Sequence, residues 1–62
     1  MYTLIQALVL VSIRLPDATI TSITLLDEHT NNYTCDFTNN SKDTTVTFEI
    51  KDGVIDYWSV QI

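Results

Sequence analysis

The sequence predicts an α+β fold, one N-terminal helix packed on a four-stranded antiparallel meander sheet. Three observations carry this expectation. Residues 44–62, TTVTFEIKDGVIDYWSVQI, read as two strands joined at Lys51-Asp52-Gly53. Asp-Gly between two such runs is a strong hairpin signal, because glycine accepts the positive φ these turns require. Residues 18–39 hold two further β-rich runs separated by polar, turn-forming stretches. A sheet with one apolar and one polar face needs a cover, and residues 3–15 are the segment left to supply it. The alternative is an all-β small barrel of five strands, reached if residues 4–15 are extended.

Residues 1–15, MYTLIQALVLVSIRL, fit either state. As a helix, Leu4, Leu8, Val11 and Leu15 form one stripe with Ala7 beside it. As a strand, Ile5, Ala7, Val9, Val11 and Ile13 share a face, and their β-branched members favour it. The need for a cover selects the helix. Leu10 and Ile13 then lie on its far side, exposed in a monomer and available for a dimer contact. Leu15-Pro16-Asp17 ends the element, since proline disfavours helix in the residue before it.

Residues 18–28 form the first strand, dense in Ile and Thr, with Ile23 and Leu25 on one side. A polar loop follows at residues 27–32 (DEHTNN). The second strand spans residues 32–39, where Tyr33, Cys35 and Phe37 alternate with Thr34, Asp36 and Thr38. Residues 39–43 (NNSKD) are the next loop. In the third strand Val46, Phe48 and Ile50 alternate with Thr45, Thr47, Glu49 and Lys51. In the fourth, Trp58, Val60 and Ile62 are assigned to the core and Ile55, Tyr57, Ser59 and Gln61 to the wet face. Asp56 shares the Trp58 parity, but a bulge near the turn would keep it in solvent.

The 62 residues make one small domain, 1–62. A chain of this size buries only about 60% of the surface its unfolded form exposes, so its core is marginal. Cys35 is the single cysteine, which forbids an internal disulfide, and one Cys with one His does not make a usual zinc site. That leaves a well-packed monomer or an oligomer, with a homodimer slightly favoured. Eight acidic residues against three basic ones give a net charge of −5. That balance argues against nucleic acid and against an anionic membrane, and it suits a basic protein partner. No basic residue precedes the first apolar run, which is also shorter than the roughly 20 residues that span a bilayer. We expect it to belong to the fold, and the chain to be cytoplasmic ahead of exported. Asn32-Tyr33-Thr34 and Asn39-Asn40-Ser41 match the glycosylation pattern, which matters only on export.

Catalytic chemistry is sought without result. A nucleophile needs a base beside it, and Cys35, on the core face, stands apart from His29 in a loop. Asp27-Glu28-His29 are consecutive and point in different directions, so they read as a solvated loop and not as metal ligands. Asp36 and Glu49 share the wet face, but an open sheet gives paired carboxylates no pocket to separate their pKa values. Gly53 is the only glycine, so a glycine-rich phosphate loop is ruled out and no cofactor is implied. No catalytic, cofactor or metal residue is assigned. The better contact residues are Tyr57, Asp36 and Glu49 on the polar face, tyrosine being enriched at binding hot spots.

The step Leu15-Pro16-Asp17-Ala18-Thr19-Ile20 after a helix, and the ending Phe48-Glu49-Ile50-Lys51-Asp52-Gly53-Val54-Ile55, together resemble the PepSY and PepSY-like domains. These include the group described as similar to a β-lactamase inhibitor protein. The resemblance covers residues 4–62. It implies a helix followed by an antiparallel sheet, and a non-catalytic module of the sort proposed to inhibit peptidases or other enzymes. The expected function is therefore protein binding through the polar acidic sheet face or an edge strand, with enzyme inhibition as one form of it. Self-association through Leu10, Ile13 or a free strand edge is the alternative.

Overall fold

The computed structural model describes residues 2–61. Helix α1 (Leu4–Arg14) is followed by strands β1 (Thr19–Asp27), β2 (Asn32–Asn39), β3 (Lys42–Lys51) and β4 (Val54–Gln61). The sheet runs β1-β2-β3-β4 with every neighbouring pair antiparallel, and α1 covers one face. This is the α+β architecture that the alternation and the turn residues predict. The five-stranded barrel is excluded, because residues 4–14 are helical and the sheet is open.

The helix starts where its backbone donors find partners. Thr3 Oγ1 accepts from the Gln6 amide at 3.1 Å, and Gln6 Oε1 accepts from the Thr3 amide at 2.8 Å. This reciprocal capping box satisfies two N–H groups that a helix end otherwise leaves open. At the other end the Leu15 amide donates to Val11 O at 2.8 Å, and Pro16 prevents a further turn.

Two connections are two-residue turns built from left-handed residues. Asn40 and Ser41 have φ of 53° and 64°, and Asp52 and Gly53 have 54° and 80°. Positive φ at both central positions defines a type I′ turn, whose twist matches that of the paired strands. Asp52-Gly53 is the expected hairpin. The loop expected at residues 39–43 is tighter than anticipated, because asparagine tolerates the left-handed region and lets β3 begin at Lys42. Between β1 and β2, Asp27 Oδ1 accepts from the His29 amide at 2.9 Å, and Asn31 takes φ 52° to re-enter the sheet.

The core rests on the two central strands. Tyr33, Cys35 and Phe37 of β2 and Val46, Phe48 and Ile50 of β3 are buried, with Ala7 and Val11 of α1 above them. Register aligns these residues in rows. Tyr33 lies opposite Phe48 and Phe48 opposite Trp58, and the rings stack or tilt at 5.5 and 6.0 Å between centroids. The Arg14 guanidinium sits 4.5 Å over the Trp58 ring, closing the row from above. Tyr33 Oη donates to Tyr2 O at 3.1 Å, and Tyr2 Oη accepts from the Gly53 amide at 2.7 Å. These two bonds tie the segment before α1 to the centre of the sheet and to the β3–β4 turn.

The structure corrects the expected faces in four places. On α1 the buried stripe is Ala7 and Val11, flanked by half-buried Leu10 and Leu15, whereas Leu4 and Leu8 face solvent. Small Ala7 lets the helix approach the aromatic row, and the stacking of Arg14 on Trp58 turns that side inward. Leu10, expected on the far side, therefore packs against the core, while Ile13 is exposed as expected. On β4 the register breaks at Asp56: Glu49 pairs with Tyr57, yet Ile50 pairs with Ile55. The bulge leaves Asp56 in solvent as anticipated, but it also reverses the alternation and brings Ile55 onto the core. Val60 shares a row with Val46 and is still 45% exposed, since it lies on edge strand β4 whereas Val46 lies on central β3. Ile62, also assigned to the core, lies outside the described residues.

Serine held at φ 64° is strained where glycine would not be, by about 1 kcal/mol. Ser41→Gly is therefore expected to raise the melting temperature by roughly 4–8 °C, measured by circular dichroism at fixed protein concentration. An unchanged or lowered midpoint would contradict the turn assignment.

Candidate functional site

Three surfaces expose distinct chemistry: the polar sheet face, a cleft at the loop end, and the outer side of α1. The sheet face is ordered by register. Thr24, Thr34, Thr47 and Ser59 form one row across the four strands, and Ser22, Asp36, Thr45 and Gln61 form the next. Asp36 anchors the second row, its carboxylate accepting from Thr45 Oγ1 at 2.6 Å and from Ser22 Oγ at 2.9 Å. These hydroxyls, Thr45 foremost, hold the Asp36 carboxyl below the usual carboxylate range, against a smaller opposing effect of desolvation.

Of the residues expected to make partner contacts, the structure brings together two. Glu49 and Tyr57 are direct cross-strand partners, and Tyr57 is 49% exposed on edge strand β4. Asp36 stands apart. It lies opposite Thr45, four residues from Glu49 along β3, or about 13 Å. Its oxygens already accept from neighbours, so it serves the sheet first. Leu10 and Ile13, expected to share a dimer contact, line one groove together, Leu10 half-buried and Ile13 exposed.

The cleft opens between the β1–β2 loop, the β3–β4 turn and Tyr2, with a volume of about 580 Å³. Its walls include His29, Asn31, Glu49, Lys51, Asp52 and Asp56. It is polar and of mixed charge. Among the described residues no three His, Cys, Asp or Glu side chains are grouped so as to hold a metal ion. Cys35 lies in the core, where burial and then the neighbouring Asp36 charge push its thiol pKa up. A raised pKa keeps the thiol protonated and so a poor nucleophile.

The outer side of α1 was not anticipated as a whole. Leu4, Ile5, Leu8, Val9 and Ile13 are all exposed, Ile5 at 73% and Ile13 at 72%. The helix sequence LIQALVLVSIR is aliphatic except at Gln6, Ser12 and Arg14. Each of those three is already engaged. Gln6 completes the capping box, Ser12 Oγ donates to Leu8 O at 2.8 Å, and Arg14 lies on Trp58. The signal was present in the sequence, since a helix apolar on every side normally has two partners. Beside this ridge run two shallow apolar grooves of about 320 Å³ each, which share Leu10 and are bounded across from the helix by Gly53, Val54 and Ile55.

Comparison with protein-family models, curated proteins and solved structures finds no match to this chain. No helix among the described residues is long and apolar enough to cross a membrane.

The hydroxyl pair on Asp36 supplies a test of the sheet face. A carboxyl whose folded pKa is depressed stabilises the protein above its unfolded value, near 3.9, and that contribution is lost as pH falls through the lower folded value. Thr45→Val removes the stronger donor while keeping the β-branched shape. The variant is expected to raise the Asp36 pKa, read by NMR titration, and to lose wild-type stability over the pH range above the folded value. An unmoved Asp36 titration would show that the hydroxyl does not set it.

Proposed function

We propose that this chain is a non-catalytic protein-binding module whose contact surface is the aliphatic outer face of α1 together with the grooves beside it. One observation carries the reading: five large aliphatic side chains of one helix face solvent, on a domain with only eight buried core residues among those described. Exposed apolar area of this continuity marks interaction sites in soluble proteins. The charge distribution supports it. All eight carboxylates lie at Asp17 or beyond, so the helix face is free of the repulsion that the rest of the surface would impose on an acidic partner. Cys35, the single cysteine, is buried, which supports a non-catalytic role for its thiol.

A second reading is favoured by the Glu49–Tyr57 pair. It places an exposed aromatic ring and a carboxylate side by side on the edge strand, where a basic protein surface could dock. The one-sided sheet and the acidic charge point to this face, and the PepSY-like resemblance adds enzyme inhibition as a form of the contact. The helix-then-sheet order and the Leu15-Pro16-Asp17 step support that resemblance, and inhibition remains a proposal on that ground.

Affinity capture separates the two readings. The bait is the full chain with a C-terminal tag, mixed with its own untagged copy and with lysate. Ile5→Lys with Ile13→Lys is expected to abolish recovery of the bound protein, whether a second copy or another species, while Glu49→Ala with Tyr57→Ala leaves it intact. The reverse pattern would move the contact to the sheet face. A bait that recovers neither its own copy nor any other protein would overturn the binding-module reading.

A further inference from the structure

Resting on the proposal that the outer face of α1 is a contact surface, we infer that its occupant is a second copy of this chain, packed antiparallel about a two-fold axis at Val9. The spacing is the first argument. Ile5, Val9 and Ile13 recur every four residues and form a ridge of the kind that interdigitates with an identical ridge on another helix, crossing at about 50°. The ridge is symmetric about its centre. Val9 is equidistant from Ile5 and Ile13, and it is also the midpoint of Leu4–Arg14. A two-fold axis there sets Val9 against Val9 and Ile5 against Ile13 of the partner subunit, as an isologous contact requires. The smaller residue at the centre allows the helices to approach closely.

Charge selects among occupants. Two chains of net charge −5 repel each other over most of their surfaces, and the α1 face is the approach without a carboxylate. An opposite-charge partner would be drawn elsewhere, to Glu49, Asp52 and Asp56 around the cleft. A helix that lies on a lipid surface carries Lys or Arg along its polar flank. Here the single basic side chain of α1 is Arg14, and its guanidinium is held on Trp58. The Gln6 side-chain oxygen and the Ser12 hydroxyl are bonded within the helix and its cap, so pairing leaves neither of these groups stranded.

Size fixes the strength. Eleven residues of helix are about 16 Å long, which limits the contact to less than the standard interface of roughly 800 Å² a side. Val54, 58% exposed, lines the groove beside Ile13 and adds to the apolar rim. The proposed contact is therefore a small one, and monomer–dimer exchange is expected within the concentration range of the experiment below.

Sedimentation velocity of the full chain from low micromolar to near-millimolar concentration reads this directly. A monomer–dimer equilibrium that tightens as salt is raised is expected, because salt screens like charges and leaves apolar contact intact. Val9→Glu sets two carboxylates together at the axis and is expected to weaken dimerisation about tenfold or more, with the fold unchanged by circular dichroism. Oxidative cross-linking reports the geometry, native Cys35 being buried. Val9→Cys is expected to link to itself, and Ile5→Cys to Ile13→Cys in a mixture, with Ile5→Cys alone linking poorly.

A chain that stays monomeric at the highest concentration overturns the inference. If the Ile5→Lys, Ile13→Lys variant then still loses a captured heterologous protein, the contact face stands and only its occupant is wrong. Self-linking of Ile5→Cys without linking at Val9→Cys would overturn the antiparallel arrangement. Binding to phosphatidylcholine vesicles in place of self-association would make the occupant a lipid surface and overturn the inference.

Discussion

A four-stranded sheet with one apolar face has to be covered, and in this protein an eleven-residue helix does the covering. The helix buries two of its side chains, Ala7 and Val11, and ends with Arg14 over Trp58. Much else follows from that limited reach. Ala7 and Val11 are small, so the helix axis comes close to the Tyr33–Phe48–Trp58 row and excludes water from it. Burying one aliphatic side chain of valine size contributes about 1.5 kcal/mol, whereas a partly exposed cation–π contact adds about 0.5–1. Apolar burial therefore holds the helix down, and Arg14 on Trp58 sets its rotation. At the edge of the sheet that cover thins, and Val60 of β4 is left partly in solvent beside fully buried Val46 of β3.

Tyr33 shows how polar atoms are accommodated in so thin a core. Its ring lies in the buried row while its hydroxyl reaches the Tyr2 carbonyl, and Tyr2 in turn accepts from Gly53. A buried hydroxyl without a partner would cost about 1–3 kcal/mol, a large share of the stability of a domain this small. The same burial pushes the Tyr33 pKa above the usual tyrosine value, with the Tyr2 phenol adding to it. The chain before α1 is thereby fastened at two points, which positions the helix N-terminus over the sheet.

How much of this was legible in the sequence depended on whether alternation survived. In β2 and β3 pairing is unbroken along the strands' core positions, so Tyr33, Cys35, Phe37, Val46, Phe48 and Ile50 read directly as one face. The edge strands carry register breaks, between Ile20 and Ser22 in β1 and at Asp56 in β4. One extra residue reverses every parity beyond it, and Ile55 was misplaced for that reason. The phase of α1 was hidden by a different cause. With aliphatic residues on all sides, the stripe through Leu4 and Leu8 scored as well as the true one through Ala7 and Val11, and only packing against the aromatic row separates them. At the surface, register joins Glu49 to Tyr57 and removes Asp36 from their company, a relation invisible until β3 and β4 are aligned.

The two edges and the helix face differ in how they are guarded, and the difference bears on how the chain meets other molecules. An open sheet presents unpaired N–H and C=O groups along β1 and β4, a template for strand addition. Both edges are interrupted by bulges, and β4 sets Asp56 at its break, which twists the strand and places a charge where an incoming backbone would pair. Nothing comparable protects α1, whose polar side chains are turned to internal bonds and whose outer surface is left to Leu4, Ile5, Leu8, Val9 and Ile13. A sequence that only needed to remain soluble could have placed lysine or glutamate at those positions without loss of helix propensity. Because Ala7 and Val11 supply the helix's buried contact with the sheet, the exposed outer face adds little to folding the monomer, and under the proposed pairing its contribution would arise when a second copy covers it.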